Sequence, residues 1–320
     1  METVSNQPAK TEIDFERVFD ALIEPSASLE DDALEALNAL GPEMRARLAA
    51  ALQALDSAAR FSVLARLIDV AEEHVTLDYG SVCLDFLSDS DASVRALAVS
   101  GLSDVEDREA LVRLLEVARD DSDELVRVEA TDALRLWVLR AEFGRLMGED
   151  RAALIEMLRG LAEDGGEAAS VRGNAVESLG PLSEEWVREL IHESFANEDQ
   201  TLRLGALRAM GWSADSYWLP TVLDSAEALD DEERSAAAFA AGEIEDEDAV
   251  PTLQDLLEDE SLEVVLTAVA ALGEIGGALA LEALESVRTH PEVAVRDASQ
   301  AAGQTAALID DPMAASEMSL

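Results

Sequence analysis

The strongest constraint on this chain is a stride. Val171-Arg172, Leu202-Arg203, Glu233-Arg234, Val264-Val265 and Val295-Arg296 open successive segments at intervals of 31 residues. Upstream, Val94-Arg95 and Val126-Arg127 open two more, 32 residues apart, and 45 residues separate position 126 from 171. Small and apolar residues follow each opening at fixed offsets: Ala98 and Leu102, Ala130 and Leu134, Ala175 and Leu179, Ala206 and Met210, Ala237 and Ala241, Ala268 and Leu272. A glycine closes several copies, at Gly180, Gly211, Gly242 and Gly273, before the pattern decays at Ser299 and Gly303. A chain built this way folds as a row of like units, each burying its apolar stripe against its neighbours.

Each position has a physical reason. Offsets 0, 4 and 8 from the opening residue share one face of a helix with 3.6 residues per turn. The alanine at offset 4 leaves room for a neighbouring helix. The glycine at offset 9 is expected just past the helix end, in the left-handed conformation that closes a last turn. Three residues before the opening stand Asp91, Asp123, Asp199, Asp230 and Ser261, side chains able to cap a helix N-terminus. Before each cap lies another apolar stripe, such as Leu111, Leu114, Leu115 and Ala118, or Val187, Leu190, Ile191 and Phe195. Pro220 and Pro251 fall where such helices begin, at a position that needs no N–H. One unit is therefore a helical hairpin. Aromatics make up only 4% of the chain, so alanine, leucine and valine must build the core, which suits thin repeated layers better than one large globule.

The Asp-x-x-Val-Arg-x-x-Ala-x-x-x-Leu-Gly run, as in Asp91 to Leu102 or Asp199 to Gly211, resembles the HEAT repeat, in the short subtype named from phycobilisome lyases. The resemblance covers roughly residues 75–308. It implies an all-α fold: a right-handed α-solenoid, or α-α superhelix, of stacked HEAT-like helical hairpins. It also implies that the Val-Arg helices line a concave face and that cap and arginine form a ladder along the stack. Carried over residue by residue, the ladder would comprise Arg95, Arg127, Arg172, Arg203, Arg234 and Arg296 with Asp91, Asp123, Asp199 and Asp230. Val265 interrupts it. Members of the family include scaffolds, lyases, hydroxylases and glycosylases, so the motif specifies fold far better than function.

Four regions are expected: a disordered start (1–10), a divergent N-terminal helical cap (11–74), the solenoid (75–308) with an insertion at about 137–150, and a flexible tail (309–320). The cap would cover the first apolar face of an open stack. Its stripes are Phe15, Val18, Phe19 and Leu22, then Leu48, Leu52 and Leu55, then Leu64, Leu67, Ile68 and Ala71. The insertion, with Arg140, Phe143, Arg145 and Met147, is expected to extend a helix or form a bulging loop.

Candidate chemistry is sparse. The hydroxylases of this architecture hold two irons through several His-Glu pairs; here His192-Glu193 stands alone, and no metal site is expected. The glycosylases need a cationic groove, whereas this chain has 23 Lys+Arg against 69 Asp+Glu, a net charge of −46, and Lys10 as its one lysine. Nucleic-acid binding is excluded on that ground. The acidic runs 120–124, 230–233 and 245–248 lack the glycine and glutamate of a calcium loop and are expected to cap and solvate turns. Cys83, between Val82 and Leu84, is expected to be a buried inert thiol. No nucleotide-binding or hydrolase motif occurs, and no catalytic or cofactor-binding residue is assigned. The absence of a membrane-spanning run and of a leader-like start points to a cytoplasmic protein.

The expected function is that of a non-enzymatic protein-binding scaffold or adaptor, with a tetrapyrrole (phycobilin) lyase or lyase-like chaperone as the alternative. Candidate partner-binding residues are Trp212, Tyr217 and Trp218, which cluster in sequence, and Trp137 and Phe143 of the insertion. The partner expected is another protein. A basic surface on it would suit acids concentrated in the groove, although the even spread of acids from Glu12 to Glu317 favours a global solubility or salt adaptation.

Overall fold

The computed structural model describes residues 19, 22–23, 42–73, 79–103 and 105–310. The expected disordered start, Phe15, Val18 and the tail from 311 onward lie outside the described residues. Among those described there is no strand. The chain divides into two compact units, Met1–Ala133 and Leu134–Leu320.

The first unit holds α1 (Pro42–Gln53), α2 (Ser57–Glu73), α3 (Gly80–Phe86), α4 (Ala92–Ser100), α5 (Arg108–Asp120) and the first half of α6 (Glu124–Glu142). The second holds the rest of α6, then α7 (Gly148–Glu163), α8 (Ala169–Leu179), α9 (Glu185–Phe195), α10 (Gln200–Trp212), α11 (Leu219–Ser225), α12 (Asp231–Ile244), α13 (Val250–Leu256), α14 (Leu262–Ile275), α15 (Gly277–Ser286) and α16 (Val293–Asp310). Even-numbered helices are the second arms of the hairpins. In the second unit they form the spine, with α8 on α10, α10 on α12, α12 on α14 and α14 on α16. This is an α-solenoid of stacked helical hairpins.

Burial follows the repeat. Val94, Val126, Val171, Leu202, Val264 and Val295 are buried, and the alanines at offset 4 have no exposed surface at all. Leu102, Leu134, Leu179 and Leu272 fill offset 8 and are equally enclosed, each stabilising the stack by about 1.5–3 kcal/mol. Cys83 is buried as expected.

The offset-9 glycines do a different job from the one expected. Gly211, Gly242 and Gly273 lie inside α10, α12 and α14, and Gly180 has φ −47°, which is right-handed. A Cβ at Gly211 would stand 2.8 Å from Ala240 Cα, and one at Gly242 2.8 Å from Ala271 Cα. These glycines let successive second helices touch backbone to backbone. The left-handed turns fall three residues later, at Ala214 (φ 48°), Glu245 (φ 54°) and Gly276 (φ 65°).

The caps behave as expected, but the ladder has other partners. The carboxylates of Asp91, Asp123, Asp199 and Asp230 accept backbone N–H bonds from Ser93 (2.9 Å), Leu125 (3.0 Å), Thr201 (2.9 Å) and Glu233 (3.1 Å). Ser261 makes no side-chain cap bond. Turned onto their own helices, these groups are not the partners that the repeat arginines reach. The rungs are Arg95–Asp121 (2.7 Å), Arg203–Glu233 (2.6 Å) and Arg234–Asp259 (2.7 Å). Asp121 and Asp259 stand two residues before the cap position, where each also accepts the N–H of the residue at that position. Where that site is Ala228, the acid comes instead from Glu233, which explains a glutamate in the apolar opening position. The arginine's other arm grips its own turn: Nη1 donates to the carbonyl six residues earlier in Arg95, Arg127, Arg234 and Arg296, at 2.6–3.0 Å. Arg172 reaches Ala162 O through Nε. The interruption at Val265 faces a turn that carries His290 in place of an acid, so both halves of that rung are missing together.

The same device appears one hairpin earlier than the sequence pattern indicated. Asp56 caps α2 through the Ala59 N–H (2.8 Å), and Arg60 forms a rung to Asp89 (2.7 Å). The α1–α2 hairpin, inside the region read as a divergent cap, thus carries the repeat's own chemistry.

Two outcomes test these contacts. Gly211→Val forces a side chain into Ala240 and should lower urea-unfolding stability by about 1–3 kcal/mol. Arg234 holds the Asp259 carboxyl below its ordinary range against the opposing effect of burial. A lowered carboxyl stabilises the fold above the ordinary value near 4, and that stability is lost as pH falls through the lowered value. Arg234→Met should therefore cost about 1–3 kcal/mol at neutral pH, between an exposed and a buried pair, with the gap to the parent narrowing below about pH 4 in thermal melts.

Candidate functional site

The repeat arithmetic that builds the spine also sets a row of side chains along it. Offset 6 places Glu177, Arg208 and Phe239 on α8, α10 and α12, and offset 10 places Trp212, Glu243 and Glu274 on α10, α12 and α14. All lie in the second unit, joined by Arg135 from the end of α6 that belongs to it.

Trp212 is the centre of this row. The Arg135 guanidinium lies 4.4 Å over its ring, and Phe239 meets it edge-on at 5.2 Å. Its indole N–H donates to Glu177 Oε1 at 3.2 Å. Glu177 is only 8% exposed and stands 3.4 Å from Arg135 and 3.9 Å from Arg208. The indole is held from below and from one side, and a minor part of it stays open to solvent. A cation over an aromatic face at this depth contributes about 0.5–2 kcal/mol.

Beyond Phe239 the row turns acidic. A Cβ at Gly242 would lie 2.6 Å from Glu274 Oε2, so that carboxylate rests on the bare backbone of the preceding helix. Burial, reinforced by Glu274 and Glu245, pushes the Glu243 carboxyl up to about 7, with Arg135 pulling the other way. Glu274 is raised too, by desolvation among the packed helices and by Glu245.

The residues singled out from sequence separate into three places. Trp212 joins the row just described. Tyr217 and Trp218 sit in the short 3-10 turn before α11 and pack on α9: Trp218 lies 4.5 Å from His192, Tyr217 accepts or donates a 3.0 Å bond with His192 Nε2, and Arg188 covers the Tyr217 ring at 4.8 Å. Trp218 is 1% exposed, against 53% for Tyr217. Trp137 is 4% exposed, with Arg140 stacked on it at 4.7 Å. Trp137 and Trp218 are therefore core residues with no surface left for a partner, contrary to expectation. The extra length before the third copy does extend a helix, α6, and closes through Gly144 (φ 69°) and Gly148 (φ 66°); Phe143, in this turn, is 72% exposed. Sequence reasoning missed Arg135, Glu177, Phe239, Glu243 and Glu274. Counting offsets 6 and 10 through the copies would have found all but Arg135.

Among the described residues no three His, Cys, Asp or Glu side chains gather as a metal site requires, and no helix is long and apolar enough to cross a membrane. The acidic runs are occupied by caps and rungs: Asp121 and Asp123, Asp230 and Glu233, and Asp246, which caps the Asp248 N–H.

Residues 219–303 match the family model for HEAT repeats. These residues are HEAT repeats. The complex of CpcE and CpcF of phycocyanin lyase from Nostoc aligns over 82% of this chain and 99% of that one, at 18% identity and a TM-score of 0.54. Kap95p, yeast importin-β, in its complex with RanGDP aligns over 92% of this chain and 46% of that one, at 14% identity and a TM-score of 0.51. Human deoxyhypusine hydroxylase aligns over 91% of this chain and 95% of that one, at 17% identity and a TM-score of 0.36. At these identities the first two likenesses establish the fold. No curated protein matches the sequence.

The raised Glu243 carboxyl has a measurable sign. A carboxyl whose folded value lies above its unfolded value near 4.3 stabilises the fold fully below that unfolded value, and the contribution disappears as pH rises toward about 7. Glu243→Gln should therefore gain stability relative to the parent as pH increases from about 4 to 7, read as a growing difference in melting temperature.

Proposed function

We propose that this protein is a non-enzymatic scaffold or adaptor that holds another protein on the face built by its second helices, the concave face of a solenoid. The Trp212 platform carries this reading: a partly exposed indole, braced by Arg135 and Phe239, beside two carboxylates whose charges oppose each other. Aromatic and arginine side chains dominate interface energetics when clustered and partly exposed. The carboxylates of Glu243 and Glu274 gain from a cation, which favours a partner with a basic surface, and a net charge of −46 would steer it inward. Tyr217 and Phe143, both exposed, are further contact candidates. The same charge argues against nucleic acid, and a cytoplasmic location fits the reading.

Trp212→Ala should weaken capture of the partner from native lysate by about 1–3 kcal/mol while leaving helicity unchanged, and the lost Arg135 and Phe239 contacts should lower the melting temperature only slightly. A strongly lowered melting temperature with undiminished capture would make Trp212 a core residue and refute its role. The phycocyanin lyase likeness keeps a second reading alive, that of a tetrapyrrole lyase or lyase-like chaperone. Co-expression with a bilin distinguishes the two: a coloured product supports the lyase, a colourless one the scaffold.

A further inference from the structure

The first unit contains a groove of about 490 Å³ between α2, α4 and α6, floored by Phe61, Ala96, Leu97 and Leu125 and bordered by Asp123 and Glu129. The fold does not require this floor. Leu125 precedes the opening residue of its copy, a position held elsewhere by Ser93, Ser170, Thr201, Glu232 and Glu263. Leu97 sits at offset 3, held elsewhere by Glu129, Asn174, Gly205, Ala236 and Thr267. The place of Leu125 faces solvent in most copies, whereas offset 3 is covered at Gly205 and Ala236; Leu125 is 71% exposed, Phe61 40%, and Leu97 is half-buried. Bulky apolar side chains thus replace small or polar ones, in the open at Leu125 and at the margin of the stack at Leu97, and they converge on one depression. A concentrated exposed apolar patch of this kind marks a contact surface more often than a solitary exposed leucine does.

The border supplies the second half of the recognition chemistry. The lining contains two carboxylates and, among the described residues, no basic side chain. Loss of water raises the Glu129 carboxyl, and the neighbouring Asp132 raises it further, so a cation placed there would relieve both effects.

We propose that this groove docks an amphipathic segment of a partner protein, with large aliphatic side chains on the Phe61–Leu97–Leu125 floor and arginine or lysine against Asp123 and Glu129. The inference rests on the scaffold reading and gives it a second site, in a different unit from Trp212. Its volume suits a few inserted side chains, and the mode is an apolar helix face laid in a groove.

The test uses the full chain and a labelled synthetic peptide of leucine, alanine and arginine in helical amphipathic register, followed by fluorescence anisotropy. Two matched peptides replace every arginine with glutamate or every leucine with serine. Salt is kept physiological, so that charges beyond about 8 Å are screened. The leucine–arginine peptide should bind at least about tenfold more tightly than either matched peptide, and Phe61→Ser and Leu125→Ser should each weaken it about tenfold, the effect of losing one buried apolar side chain. Leu229→Ser, a fully exposed leucine of the other unit, should leave it unchanged. Thermal melts of the two groove variants should match the parent. Equal binding of the serine-for-leucine peptide would reduce the interaction to charge alone and overturn the proposal. Undiminished binding by both groove variants would overturn it as well. If the groove variants lose the peptide while native lysate yields no captured protein, the groove stands and the scaffold reading fails.

Discussion

An arginine in every described hairpin but α13–α14, which carries Val265, ties successive hairpins together within each unit. Its inner arm holds the carbonyls of its own turn, and at Arg60, Arg95, Arg203 and Arg234 its outer arm neutralises an acid of the next hairpin. Apolar residues such as Leu87 and Leu257 are buried at the hairpin turns, but apolar contact is non-directional. The guanidinium supplies the angle between neighbours through planar, directional bonds that a lysine could not make, in a chain whose cations, Lys10 apart, are all arginines. Beneath the rungs, backbone contact through Gly211, Gly242 and Gly273 sets the distance between layers. Angle comes from ions and distance from absent side chains.

The division of labour explains which parts of the fold were legible. Periodicity revealed the hairpins, the caps and the alanine seam, because each depends on offsets within a single copy. Rungs join different copies, and their acid lies outside the consensus run, so the resemblance pointed to Asp91 and Asp123 when Asp89 and Asp121 do the work. The glycines were misplaced for a related reason: a glycine near a helix end reads as a terminator, and only the neighbouring backbone reveals it as a contact. Arg60 escaped notice because Ala59 and Val63 stand where other copies carry valine and alanine.

The candidate site was legible in one residue out of its row. Trp212 drew attention as an aromatic, but adjacency in sequence grouped it with Tyr217 and Trp218, which the left-handed Ala214 sends onto α9. Its real companions, Glu177, Phe239 and Glu243, are separated from it by about one repeat in either direction. In a stack, distance along the chain and distance in space are related by the stride, so neighbours on a face should be sought one period apart.

Part of the acidity also has local employment. Asp89, Asp121, Glu233 and Asp259 close rungs, while Asp91, Asp123, Asp199 and Asp230 hold helix starts. The rungs moreover have a polarity: the cation always belongs to the hairpin nearer the N-terminus and the anion to the one that follows. Each rung therefore sets an acid of the following hairpin against a guanidinium that its own turn already holds.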